Sequence, residues 1–338
     1  MRRSFLILIN PSSGSGKGLT YKPAIEKYFK SKGDEAIVVI TDQNGPLSPY
    51  YLGKRAAEEK IDTIVGVGGD GTFNLIVSGL MSSGVSINDL PKLGFLGLGT
   101  GNNFVKNAGI AFKSFEESMS IVFNGRESYI DLGLVEDLDQ GRKRYFLNVL
   151  SLGFDAKVVD RASKSKSGFL PKNLSYLRAA GQEIISGLDS YDVELTGEDF
   201  SLRRKFCLLA ILNGPSYGAI FKIAPEAKMS DGLFDVCLVD KTSRFRAMYL
   251  LQRAISGEHI FSPEVKIFRT SYLTVSSLGL KPIPREIDGE VVSESEKFRI
   301  SVIPRALKVL TPIISAKESL AFTNILECQE GGVNASKC

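Results

Sequence analysis

With 338 residues, 43% of them hydrophobic and 24% charged, the chain has the composition of a soluble globular protein and enough length for two cores. A net charge of +4 does not call for nucleic acid. The single histidine, His259, excludes a multi-histidine metal centre and leaves one place on which a Ser-His-Asp triad could be built.

The start, Met1-Arg2-Arg3, is followed by only "SFLILIN" before Pro11, too little for a signal-peptide core, and the longest apolar runs, such as Cys207 to Leu212, are too short to span a bilayer. Cys207, Cys237, Cys328 and Cys338 show no C-x-x-C spacing, so neither a zinc nor a disulfide framework is expected, and a cytoplasmic location suits them. In chain order, "FLILIN" (5–10) predicts a buried strand and runs into the loop "PSSGSGKG". Ile25, Tyr28 and Phe29 then fall at helix spacing. "AIVVIT" (36–41) predicts a second buried strand, "LSPYYLGKRAAEEK" (47–60) a helix, and "IDTIVGV" (61–67) and "KLGFLGL" (92–98) strands flanking the helix "FNLIVSGLMSS". Short continuous apolar strands alternating with helices predict a doubly wound, mostly parallel α/β domain over 1–125.

Beyond about residue 125 the rhythm changes to "SYIDLGLVED", "RYFLNVLSL", "YDVELTG", "RKFCLLAIL", "FDVCLVD", "SYLTVSS" and "KFRISVI", each a strand pattern bounded by turn residues. Their density predicts an antiparallel β-sandwich over 126–312, with helical inserts near 171–187 and 244–257. A tail, 313–338, is expected either to pack back or to be disordered.

Three glycine-rich segments follow strands of the first half: "NPSSGSGKG" (10–18), "GVGGDGT" (66–72) and "GLGTGNN" (97–103). Ligands of doubly wound sheets sit beyond the carboxyl ends of the strands, and glycine lets backbone amides approach phosphate. The Walker pattern fails, because Pro11 stands where its first glycine belongs and Gly18 where Ser or Thr would meet magnesium. A dinucleotide fingerprint would belong after the first strand, not the third. Asp70 in the middle of the second loop repels a bare phosphate, so its presence points to a magnesium nucleotide.

"GGDGTFN" (68–74), "NPSSG" (10–14) and "GTGNNF" (99–104), followed by "IDLG" (130–133), "NVLSLGFDA" (148–156), "NG" with "PEAKMSDGLFDV" (213–236) and "IDGE" (287–290), resemble the diacylglycerol kinase catalytic family, with its soluble bacterial lipid kinases and related sphingosine and ceramide kinases. The resemblance implies an NAD kinase/diacylglycerol kinase-like first domain and ATP against Asn10, Thr41, Gly68, Gly69, Asp70, Gly71, Thr72, Asn74 and Thr100. It implies Glu290 as the base toward a lipid hydroxyl, with Asp70 catalytic beside the magnesium-borne phosphates. It also implies a structural Mg2+ at Asp231, with the carbonyls of Lys228 and Leu233. From residues alone, "DG" between "PIPREI" and "EVV" equally makes a type I′ hairpin, and both readings hold together if the turn presents Glu290 to a cleft.

The sequence departs from the family at Asn103, where aspartate is usual, at Leu75, where glutamate is usual, and at Gly97, often proline. The aspartate at the Asn103 position belongs, in bacterial relatives, to a network with those matching Asp70 and Asp131. Two alternatives therefore stay open: an NAD kinase-type small-molecule kinase, and a catalytically impaired nucleotide- or lipid-binding homologue. For a lipid acceptor, the segment 160–178, with Arg161, Lys164, Lys166, Lys172 and Arg178 among Phe169, Leu170 and Tyr176, is expected to touch the membrane surface transiently. The assembly state, a homodimer included, stays open.

Overall fold

The computed structural model describes residues 3–14, 16–98, 101–110, 114–164, 172–218, 220–279, 283–292 and 295–313. Thr100, the 165–171 stretch with Lys166, Phe169 and Leu170, the side chain of Lys172, and the tail from 314 onward lie outside the described residues.

The first half alternates as its periodicity requires: β1 (Phe5–Ile9), α1 (Lys22–Lys32), β2 (Ala36–Ile40), α2 (Pro49–Glu58), β3 (Thr63–Gly68), α3 (Asp70–Ser82), β4 (Lys92–Gly97), α4 (Asn103–Asn107) and α5 (Phe115–Asn124). The strands are parallel in the order β4-β3-β1-β2. Every residue of β1 is buried because β1 is flanked by β2 and β3. The expected buried strand at 36–41 is instead the edge: Ile37 is 61% and Ile40 41% exposed. Its apolar run could not reveal this, since only strand order decides which strand lacks an outer neighbour.

Helix α3 is held unusually close to α2. A Cβ on Gly79 would lie 2.0 Å from the Tyr50 carbonyl oxygen, and one on Gly53 would lie 2.5 Å from that of Ile76. Only glycine admits such a backbone approach. The consequence is a rigidly seated α3, whose first residue is Asp70.

The second half contains β5 (Arg126–Asp137), β6 (Lys143–Phe146), β7 (Val149–Gly153), α6 (Phe154–Lys164), α7 (Lys172–Ser186), β8 (Tyr191–Thr196), β9 (Ser201–Leu212), β10 (Phe234–Asp240), α8 (Arg244–Ser256), β11 (Val265–Thr270), β12 (Tyr272–Ser277), β13 (Arg285–Ile287), β14 (Glu290–Val292) and β15 (Lys297–Thr311). Its pairings are antiparallel, and a sandwich-like core of Phe146, Leu152, Phe206, Ile211, Phe234 and Phe298 lies between its layers. The single strand expected from "RYFLNVLSL" is two, β6 and β7, because a distant carboxylate gathers the amides at the break, as shown below. "KFRISVI" extends far beyond its expected end. After a register shift between Ile303 and Leu307, where Arg305 takes φ +52°, β15 continues to Thr311 and pairs Val309 in parallel with Leu93 of β4. One continuous sheet path therefore joins the two halves.

Candidate active site between the two halves

The three glycine loops lie side by side at the carboxyl ends of β1, β3 and β4 and are knitted together. Asn10 Nδ2 donates to Thr72 Oγ1 at 2.8 Å, linking the first loop to the second. A Cβ on Gly14 would lie 3.0 Å from the Leu98 carbonyl oxygen, so the first loop also touches the third. Asp70 ties the second to the third: its Oδ2 accepts from the Asn103 amide and its Oδ1 from the Phe104 amide, both at 3.0 Å. The carboxylate thus caps the first amides of α4. Thr41 is buried, and both its amide and its hydroxyl donate to the Ile9 carbonyl. Gly68 is obligatory, because a Cβ there would meet Thr72 Oγ1 at 2.6 Å. Gly69 immediately precedes α3, and its carbonyl accepts from the Phe73 amide.

Across the gap stands the hairpin of β13 and β14. Asp288 and Gly289 have φ of +48° and +89°, the pair of positive values that a type I′ turn needs. The Asp288 carboxylate explains the strained residue. Oδ2 accepts from the Leu147 amide at 2.6 Å and from Asn74 Nδ2 at 2.8 Å, while Oδ1 accepts from the amides of Asn148 and Val149 at 2.9 and 3.0 Å. This is the group that breaks β6 from β7. Burial pushes its carboxyl up to about 6, against those four donors, which favour the anion. Asn74 is thereby a strut: its amide also reaches the Tyr145 carbonyl at 3.0 Å, joining α3 of the first half to the turn of the second. The turn delivers Glu290 to the loops. Its Oε1 lies 3.7 Å from where a Cβ on Gly71 would stand, one residue from Asp70.

Between the halves lies a cavity of about 330 Å³, lined by Asp70, Asn103, Asp155, Tyr217, Glu286 and Asp288 among others. Asp155 and Glu286 are 2% and 1% exposed. Burial raises the Asp155 carboxyl to about 6 although Glu286, Tyr217 and Ser151 lie within hydrogen-bonding reach. Glu286 is pushed well above the usual carboxylate range by burial first and by the Asp155 charge second. Asp155, Tyr176 and Tyr217 also line a second, almost wholly apolar cavity of about 70 Å³, enclosed by α7, α8 and the backs of β9 and β10. His259 lies in its wall, 3% exposed, and burial lowers its pKa, so it is a neutral wall residue rather than a triad member. Cys207 and Cys237 are free, buried thiols raised to about 12 by burial.

The 228–233 turn sits elsewhere in the second half. Asp231 Oδ1 accepts from the Leu233 amide at 3.2 Å, and Lys228 and Asp231 are exposed. The buried Asp131 holds this turn, accepting from the Gly232 amide with Oδ2 and the Arg305 amide with Oδ1, each at 2.7 Å. Those bonds direct Asp131 to the turn, not to Asp70. Among the described residues no three His, Cys, Asp or Glu side chains converge on one point. One carboxylate with backbone carbonyls and water is still a donor set suited to magnesium.

Comparison with known proteins agrees with this geometry. Residues 4–135 match the diacylglycerol kinase catalytic domain, and residues 148–311 match the YegS C-terminal NAD kinase beta sandwich-like domain. A diacylglycerol kinase catalytic domain is thus what the first half of the chain is similar to, and the C-terminal domain of a YegS-type lipid kinase what the second half is similar to. The chain is 28% identical over 255 residues to a diacylglycerol kinase of Bacillus subtilis strain 168, covering 75% of this chain and 79% of the relative. It is 27% identical over 314 residues to a diacylglycerol kinase of Mycobacterium tuberculosis strain H37Rv, covering 90% and 94%. In fold it resembles the crystal structure of a diacylglycerol kinase from Bacillus anthracis str. Sterne, with a TM-score of 0.66 at 17% identity over 92% of this chain and 97% of that one.

Within this kinase-family fold, Asn10, Gly68, Gly69, Asp70, Gly71, Thr72 and Glu290 come together, with Thr41 at the neighbouring strand end. Asn74 is adjacent but faces the Asp288 turn, and Lys228, Asp231 and Leu233 form a separate turn. Thr100 lies outside the described residues. Inspection of the sequence missed Asp155, Glu286, Asp288 and the buried Asn148 and Asn213. Asp155, Asn148, Asn213 and Asp288 stand inside the quoted motifs, and the signal that could have singled them out was polarity amid strand-like apolar runs. Asn213 Nδ2 ties the carbonyls of Asp131 and Leu147 at 2.8 and 2.9 Å, and Asn107 bridges from α4 to Asn148 at 3.2 Å and to the Ser216 carbonyl at 2.8 Å.

Proposed function

We propose that the protein is an ATP-dependent lipid kinase with a nucleotide-binding lobe over 1–125 and an acceptor-binding lobe over 126–312. The observation that carries this is the placement of Glu290 against Gly71, beside a polar cavity that shares Asp155, Tyr176 and Tyr217 with an apolar one. The relatives' names supply the acceptor class. ATP lies along Asn10, Thr41, Gly68 to Thr72 and Thr100, with amides of the α3 start toward its phosphates. Magnesium at Asp70 supplies neutralisation of phosphate charge. Asp70 keeps its carboxylate fixed by the α4 amides, and Asp231 with the Lys228 and Leu233 carbonyls would hold a second ion at the turn that Asp131 anchors. Glu290 takes the proton of the lipid hydroxyl as its oxygen forms the bond to the γ-phosphorus, and ADP leaves. Asn103 keeps its backbone amide on Asp70, so the missing family carboxylate leaves that capping bond intact.

Membrane contact fits two surfaces. Arg161 and Lys164 of the expected segment are paired with Glu183 and Asp160, respectively. Helix α8 presents Phe245, 91% exposed, with Met248, Tyr249 and Ile255 on its outer stripe, while Ala247, Leu250 and Ala254 on its inner face wall the apolar cavity. A bilayer seated on this stripe is one helix away from an acyl chain in the cavity. No helix among the described residues is long and apolar enough to cross a membrane.

The test follows γ-phosphate from ATP onto a panel of lipids with NAD alongside. Transfer to a lipid, abolished in Asp70→Asn and Glu290→Gln, is expected. Phosphate appearing on NAD instead favours a small-molecule kinase, and full turnover by Glu290→Gln removes that residue as the base.

A further inference from the structure

Glu286 grips the turn that carries Glu290, a contact that the phosphoryl-transfer reading does not use. It lies on β13, 1% exposed, and its Oε2 accepts from the Gly289 amide at 2.7 Å. Gly289 has φ +89° and directly precedes Glu290, whose Oε1 stands 3.7 Å from a Cβ position on Gly71. Glycine tolerates several backbone angles, so the direction of the peptide before Glu290 is set by what its N–H finds. Asp288 fixes the other side of the turn through the amides of Leu147, Asn148 and Val149 and the Asn74 side chain.

Glu286 is itself held from behind. Its carboxyl is hydrogen-bonded to that of Asp155 in the first turn of α6, and Asp155 is also hydrogen-bonded to Tyr217 and Ser151. Carboxylates only accept, so a bond between two of them needs a proton. No cation stands in for it. Facing the pair are Ser151 of β7, Tyr217, Tyr176 of α7, the Asp288 turn with Glu290, and Asp70 and Asn103 across the cavity. Lys157 of α6 pairs with Asp189 and Glu183, and Arg285 of β13 lies over the Phe298 ring at 4.5 Å. Burial first and the Asp155 charge second raise Glu286, and burial raises Asp155 to about 6, so the pair keeps one proton as pH climbs past the ordinary carboxylate range. Resting on the lipid-kinase reading, we propose that Glu286 is a positioning residue for Glu290: sharing one proton with Asp155, it holds the Gly289 amide and keeps the base aimed at the Asp70 loop. Loss of that proton sets two buried anions side by side and drives Glu286 off the amide. Transfer is then bounded on the acid side by ionisation of Glu290 and on the alkaline side by the Asp155–Glu286 proton.

The experiment measures kcat and the KM for ATP against pH, with diacylglycerol in mixed micelles, for the full chain, Glu286→Gln and Glu286→Ala. A glutamine accepts from the Gly289 amide with its carbonyl oxygen and donates to Asp155 with its amide, without titrating. The wild type should lose about 10-fold in kcat on the alkaline side. Glu286→Gln should stay within about threefold of the wild-type maximum and lack that alkaline fall. Glu286→Ala, which leaves the Gly289 amide without its acceptor, should lower kcat by about 10-fold or more at every pH with the KM for ATP changed less than about twofold. A merely structural Glu286 lowers Tm in both variants and leaves the shape of the pH profile alone. An alkaline fall that persists in Glu286→Gln, or wild-type kcat in Glu286→Ala, overturns the positioning role while loss of transfer in Glu290→Gln keeps the kinase reading. Absence of transfer by the wild type, or full turnover by Glu290→Gln, overturns both. Should Glu286→Ala fail to fold, the profiles of the wild type and Glu286→Gln decide.

Discussion

The strut between α3 and the Asp288 turn gives the sharpest test of how this site is held together. Asn74→Ala removes a bond of 2.8 Å to a buried carboxylate and one of 3.0 Å to the Tyr145 carbonyl. A hydrogen bond to a charged group is worth ~1.5–3 kcal/mol and a neutral one about 1 kcal/mol, so the expected loss is about 3 kcal/mol. With an unfolding entropy of about 2.1 cal/mol/K per residue over 338 residues, Tm should fall by about 4 °C. Asn74→Asp should be worse, since it sets a second carboxylate against Asp288. The turn carries Glu290, and a 1 Å displacement of a reacting group costs on the order of 100-fold in rate. Calorimetry with steady-state kinetics is therefore expected to show a lower Tm and a kcat reduced by one to two orders of magnitude, with the KM for ATP changed less than about twofold. The reasoning fails if Asn74→Ala leaves Tm and kcat unchanged but raises the KM for ATP, which would make Asn74 a nucleotide contact instead.

Glu290 is exposed, so Glu290→Gln should leave Tm unchanged while lowering kcat by about 100-fold or more in the γ-phosphate transfer assay. The Asp155 carboxyl is raised from 3.8 to about 6 in the folded protein, so between those values the native state binds more protons than the unfolded chain. Its contribution is fully present below the unfolded value and lost as pH rises through the folded one. Asp155→Asn should flatten the corresponding fall in Tm between pH 4 and 7 relative to the wild type, and parallel curves would refute the shift. Phe245→Glu with Met248→Glu should weaken sedimentation with anionic vesicles while leaving transfer to a micelle-dispersed short-chain lipid in place, and unchanged sedimentation would discount the α8 stripe.

By itself the sequence determined what is local. Alternating apolar runs and helical spacing located β1, β3, β4 and α3, the three glycine loops after their strands, and the two-residue Asp288-Gly289 turn, because these depend on periods of a few residues and on which backbone angles a residue tolerates. Tertiary structure decided the rest. That "AIVVI" is an edge, that β15 crosses to pair with β4, and that Asn74 grips Asp288 from 214 residues away follow from strand order and register, which are set by packing between distant segments. The Asp155 and Glu286 carboxyls meet for the same reason: the pairing of β13 with β7 sets Glu286 opposite Ser151, at the strand whose last residue leads into Asp155. Nothing in the spacing of either residue along the chain encodes that meeting, since it exists only once the sheet has closed.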